Sequence, residues 1–108
     1  MRYSVFSDAE KIPSLEEQFL MFSRALIVVA PHGAGLANVL TSPRGTLVVE
    51  AHCNTSTFNL CYMDTAMLLG HHYVGLGEEG NECDSLLKFD PSAVEEAIDY
   101  FMQNRVKM

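Results

Sequence analysis

At 108 residues the chain has room for one domain and one core, and is short for a complete enzyme. A composition that is 48% hydrophobic with three cysteines excludes a disordered chain or a disulfide-built scaffold. A formal charge of −7 excludes wrapping nucleic acid or lying on an anionic membrane, and the longest apolar runs fall far short of the roughly 18 residues of a membrane span.

The first residues, Met1 to Ser4, lead into no signal-peptide core, so any secretory targeting segment is expected outside this chain. Tyr3-Ser4-Val5-Phe6 reads as a short strand before a polar turn at residues 7–11. Ser14 with Glu17 three residues on is a capping box that starts a helix, and Leu15, Phe19, Phe22 and Leu26 give it one apolar face to bury. Leu26 to Ala30 is a continuous apolar run, a strand expected to be covered on both faces as in parallel sheets. Leu36, Val39 and Leu40 mark a short helix stopped by Pro43 and Gly45, and Thr46 to Glu50 is the next apolar strand. Phe58, Tyr62, Ala66 and Leu69 mark a helix ending at Gly70, His72 to Leu76 a further strand, and Gly77 to Leu86 an acidic surface loop. A last helix has Asp90 as cap, Pro91 in its first turn, and Val94, Ile98 and Phe101 to pack on the sheet. The alternation predicts a single α/β domain over residues 1–108, a Rossmann-like parallel sheet with flanking helices.

Chemistry concentrates where the first long strand ends, at Pro31-His32-Gly33-Ala34-Gly35-Leu36. A strand turning tightly into a helix presents unpaired N–H groups, which suit an anion at the carboxyl edge of a parallel sheet. No Gly-Lys-Ser/Thr follows, so this is no Walker loop, and Asn38 stands where a dinucleotide fingerprint has its third glycine. Gly33-x-Gly35 alone equally fits glycines that merely permit a tight turn. Glu50, closing the next strand, sits where nucleotide-binding α/β units place a carboxylate for the ribose hydroxyls. Diphosphate at the Gly33–Leu36 amides and ribose near Glu50 make a coherent site, with His32 able to donate to a departing diphosphate. Arg44 either adds charge at the same edge or is an exposed loop residue.

Other candidates are less committed. His71-His72 would point to opposite sides of a strand, which favours two structural histidines over a metal pair. His52-Cys53 fits no motif, and Cys53, Cys61 and Cys83 lack zinc-ligand spacing, though a Cys61–Cys83 bridge fits an oxidising compartment. Asn54-Thr55-Ser56 fits the N-glycosylation acceptor pattern. No Asp-x-Asp pair is present, which favours a metal-independent site, and Asp8 and Glu10 read as solvated turn carboxylates.

Glu17-Gln18, Phe22 and Ala25, then Pro31-His32-Gly33-Ala34-Gly35-Leu36-x-Asn38 and Pro43-x-Gly45-Thr46-x-Val48-Val49-Glu50, resemble glycosyltransferase family 61, as does Leu69-Gly70 to Tyr73. The resemblance runs over roughly residues 12–76; Thr41-Ser42 departs from it, standing where the family has bulky apolar residues. It implies one lobe of a two-lobed GT-B-like enzyme that transfers a sugar with inversion, usually from a UDP-sugar, to a glycan or glycoprotein acceptor in the Golgi or endoplasmic reticulum. Carried over by motif, His32, Gly33, Ala34, Gly35 and Leu36 form the donor-diphosphate turn, with Asn38 and Glu50 at the motif positions that follow. It further implies that this is the C-terminal, donor-binding half, incomplete without an N-terminal lobe, and that the nucleotide sugar is a substrate with no resident cofactor. A non-catalytic nucleotide-binding or partner-binding module is the alternative, and a Rossmann oxidoreductase is disfavoured by Asn38.

Overall fold

In the computed structural model, residues 13–31, 33–52, 60–77 and 90–105 are described. The strand and turn expected over residues 3–11 and the loop expected from Gly77 lie outside them, apart from Gly77 itself. Helix α1 (Leu15–Ser23) begins where Ser14 Oγ accepts the Glu17 N–H at 3.1 Å, as the spacing predicts. Strand β1 (Ile27–Pro31) leads into a 3-10 helix (Ala34–Thr41), followed by β2 (Leu47–His52), α2 (Cys61–Leu68), β3 (His72–Gly77) and α3 (Pro91–Asn104). Asp90 caps α3 by accepting the Ser92 N–H at 2.9 Å, with Pro91 in the first turn.

The three strands are parallel in the order β1-β2-β3, pairing Ile27 with Leu47 and Leu47 with His72. Their carboxyl ends, Pro31, His52 and Gly77, therefore share one edge of the sheet. Alternation along β2 divides the core. Val48 faces Phe22, Val28, Leu36 and Val39 on the side of α1 and the 3-10 helix, while Leu47 and Val49 face Phe101 and Ile98 of α3. This is the expected α/β class, a parallel sheet with flanking helices.

Three local expectations change. Only β2 is buried throughout; β1 is an outer strand among the described residues, and Val29 on its α3 side is 42% exposed. The segment after the glycines winds as 3-10, with Leu36 N–H donating to Gly33 O at 3.1 Å. Three residues per turn align Leu36 with Val39 in the core and turn Leu40 outward, where an α-helix would have put all three on one face. The same repeat aims Asn38 and Thr41 at α1.

That row determines how α1 sits. Asn38 Nδ2 donates to Gln18 Oε1 at 2.9 Å and Ser42 Oγ to Phe22 O at 2.7 Å, while Thr41 Oγ1 donates to Asn38 O at 2.8 Å and also approaches Phe19 O at 3.4 Å. The polar Thr41-Ser42 pair thus binds the carbonyls near the end of α1 instead of packing on its apolar face. Of the four residues expected to be buried there, Phe22 is; Leu15, Phe19 and Leu26 are exposed, and Leu15, Phe19, Leu20 and Thr41 line an open cavity of about 430 Å³.

Candidate nucleotide-sugar site

The carboxyl edge of the sheet holds the glycine turn and the end of β2 side by side. Register pairs Ala30 with Glu50 and Pro31 with Ala51, so the turn leaves β1 level with His52. His32 itself lies outside the described residues, as do Cys53, Cys83 and Asn54, and with them the proposed bridge and glycosylation acceptor.

The glycines can be tested against the tight-turn reading. Gly33 has φ 171°, extended backbone open to any residue, and among the described residues a Cβ there would meet nothing nearer than Pro31 O at 4.0 Å. Among the described residues, the left-handed region is occupied by Gly45 and Gly70, not by Gly33 or Gly35. Neither glycine of the turn is required by backbone conformation. The amides of Gly33, Ala34 and Gly35 precede the first hydrogen bond of the 3-10 helix, whereas the Leu36 amide is engaged in it. Leu36 contributes a buried side chain, and Asn38 a carboxamide that ties the helix to Gln18. Both fix the turn from behind.

Glu50 is fully buried, on the same face of β2 as Val48. Tyr73 OH donates to its Oε1 at 2.5 Å, and His52 Nε2 stands 3.3 Å from that oxygen and 3.2 Å from the Tyr73 oxygen. Since Tyr73 donates its one proton to Glu50, both contacts need the His52 proton on Nε2. Burial and then the bond to Glu50 raise the Tyr73 pKa, and burial raises that of Tyr62. Sequence reasoning left His52 uncommitted and gave Tyr73 no chemistry. The available signal was period two: His52 follows Glu50 by two residues on one strand and so shares its face.

Tyr73 gives this cluster a pH signature. Its folded pKa lies above the ordinary 10.0, so above about pH 10 the unfolded chain releases a proton that the folded one keeps. Stability is therefore full below that pH and falls as pH rises beyond it. The slope stays below the about 1.4 kcal/mol per pH unit of a fully linked proton, because the ring is only partly buried. Tyr73→Phe is expected to cost about 1–2 kcal/mol at pH 8 and to flatten the alkaline decline, as urea unfolding at pH 8 and 10.5 would read. An equally steep decline in the variant would remove Tyr73 as its source.

Two further histidines are structural in the described chain. His71 is buried with Nε2 3.2 Å from Ser42 O, and His72 stands edge-on to Phe101 at 5.6 Å. Among the described residues no group of three or more His, Cys, Asp or Glu is placed to hold a metal ion. Arg44 lies in the turn before β2, at the opposite end of the sheet from the glycines, and is exposed.

Residues 2–49 match the family model described as Glycosyltransferase 61. Over this segment the chain is similar to glycosyltransferase family 61. The matched segment contains the glycine turn, the Gln18–Asn38 pair and β2 as far as Val49; Glu50, His52 and Tyr73 follow it. The match supports a glycosyltransferase in general. No curated protein and no solved structure matches the chain significantly. No helix among the described residues is long and apolar enough to cross a membrane.

Proposed function

We propose that this chain binds the donor for an inverting glycosyltransferase that uses a nucleotide sugar, most simply a UDP-sugar, and acts on a glycan or glycoprotein. The observation that carries the reading is Gly33. It stands at the carboxyl edge of a parallel sheet, in a conformation that does not need glycine, with space where a side chain would be among the described residues. Absence of a Cβ there serves the close approach of a ligand to the Gly33–Gly35 amides, and a diphosphate is the anion that family and edge position favour.

His32 follows β1 directly and is assigned to the departing diphosphate, donating as negative charge develops on it. Glu50 is assigned to the ribose from the adjacent strand. With no exposed surface, it meets a ribose hydroxyl when that hydroxyl replaces one of the groups now around it, His52 or Tyr73. Leu36 and Asn38 hold the turn in place. Inversion is a single displacement in which a base takes the acceptor proton as the nucleotide leaves. That base belongs to an N-terminal lobe facing this one in a GT-B-like arrangement, so the chain alone turns over negligibly. The donor site works without metal, and the whole enzyme acts in the Golgi or endoplasmic reticulum lumen.

Titration calorimetry with UDP, UDP-sugars and NAD tests the reading. UDP and at least one UDP-sugar are expected to bind, NAD not to bind, and His32→Ala to weaken UDP about tenfold, the loss of one charge-assisted hydrogen bond. Binding of NAD without UDP would overturn it, and a chain that binds neither would be a partner-binding module.

A further inference from the structure

At the opposite end of the sheet, the amino ends of the strands surround an open cavity of about 650 Å³. Arg24, Arg44 and Arg105 line it, and these are all the lysines and arginines among the described residues. In a chain of net charge −7 such a convergence works against the overall field. None of the three makes a salt bridge or side-chain hydrogen bond among the described residues.

Helix ends account for part of this. Arg24 is the C-cap of α1 and Arg105 the C-cap of α3, where a cation complements the helix dipole. Arg44 caps no helix of its own but reaches the C-terminal end of α2. Its stem lies across Gly70, where a Cβ would come within 2.9 Å of Arg44 Cγ and Nε. Gly70 has φ +76°, and its carbonyl accepts the Gly45 N–H at 2.9 Å, which ties the Arg44 turn to the end of α2. Arg44 is thus held against backbone and faces a cavity that also presents His72. The C-termini of α1, α2 and α3 bring about −0.5 charge each against three full positive charges, so the balance stays positive.

We propose that this cavity is an anion site, separate from the glycine turn, that takes a phosphate or sulfate group. Planar guanidinium forks pair bidentately with tetrahedral oxyanions, and three forks can surround one such group from three chain segments. The inference does not depend on the donor reading, because the two sites lie at opposite ends of the strands.

The test is an amide and Arg Nε NMR titration of the whole chain with inorganic phosphate, inorganic sulfate and a sugar phosphate, repeated in the presence of saturating UDP. Shifts are expected at Gly45, Gly70 and the three arginines, unchanged by UDP. Arg44→Ala and, as a variant on a different element, Arg105→Ala are each expected to weaken the anion about tenfold or more, while UDP affinity stays within about twofold of the parent. A stronger response to the sugar phosphate than to the inorganic anions assigns the site to an esterified ligand, and equal responses to the bare oxyanion. Shifts confined to residues 33–35, or anion affinity unchanged in both arginine variants, would overturn the proposal.

Discussion

Glu50→Ala is expected to destabilise the chain by about 3 kcal/mol in urea unfolding, because it leaves a partly buried tyrosine hydroxyl and a buried imidazole without their shared acceptor. Against the about 5–15 kcal/mol that holds a domain together, such a loss is large without abolishing the fold. Glu50→Gln keeps the shape and one oxygen for Tyr73, so it should retain most of the stability and serves for the binding measurement. If the carboxylate also receives ribose hydroxyls, Glu50→Gln weakens UDP about tenfold and a ligand lacking the 2′- and 3′-hydroxyls binds the parent correspondingly more weakly. The decisive quantity is the coupling: the penalty for removing the hydroxyls should shrink in the variant. An equal penalty in both proteins would make Glu50 an anchor of the core with no ribose contact.

The two sides of this residue show what the sequence makes legible. Its place on an apolar strand next to a glycine turn follows from one-dimensional pattern, though β2 runs on to His52 and leaves Glu50 inside the strand instead of closing it. Its burial depends on Tyr73, which arrives from β3 through a parallel register that no local pattern encodes. The 3-10 helix is a similar case. Apolar spacing at Leu36, Val39 and Leu40 is as compatible with 3.6 residues per turn as with 3.0. The choice rests on Asn38 meeting Gln18 and Thr41 meeting a carbonyl of α1, contacts across about twenty residues of chain. The face of α1 fails as a core stripe for the same reason, since the surface it meets is polar. Helix caps at Ser14 and Asp90 and the positions of the strands, by contrast, are local and were legible.

Gly33→Asp is expected to leave stability within about 0.5 kcal/mol of the parent, the usual range for a change that disturbs no packing. The backbone there is extended and no described residue crowds the new Cβ, so the substitution meets no conformational barrier. If a donor diphosphate lies against the Gly33–Gly35 amides, the same change puts a carboxylate into the phosphate position. Two unit charges about 4 Å apart at a protein surface repel by about 4 kcal/mol, so a loss of at least about a hundredfold in UDP affinity follows. Gly33→Ala should weaken UDP only a few-fold, since it adds bulk without charge. The pair separates two explanations of the glycine. A turn requirement predicts loss of stability in both variants with binding lost only through unfolding, whereas a ligand requirement predicts two stable proteins with graded loss of affinity. UDP bound by stable Gly33→Asp as tightly as by the parent would remove the diphosphate from this turn, and the open space beside Gly33 would then need another occupant.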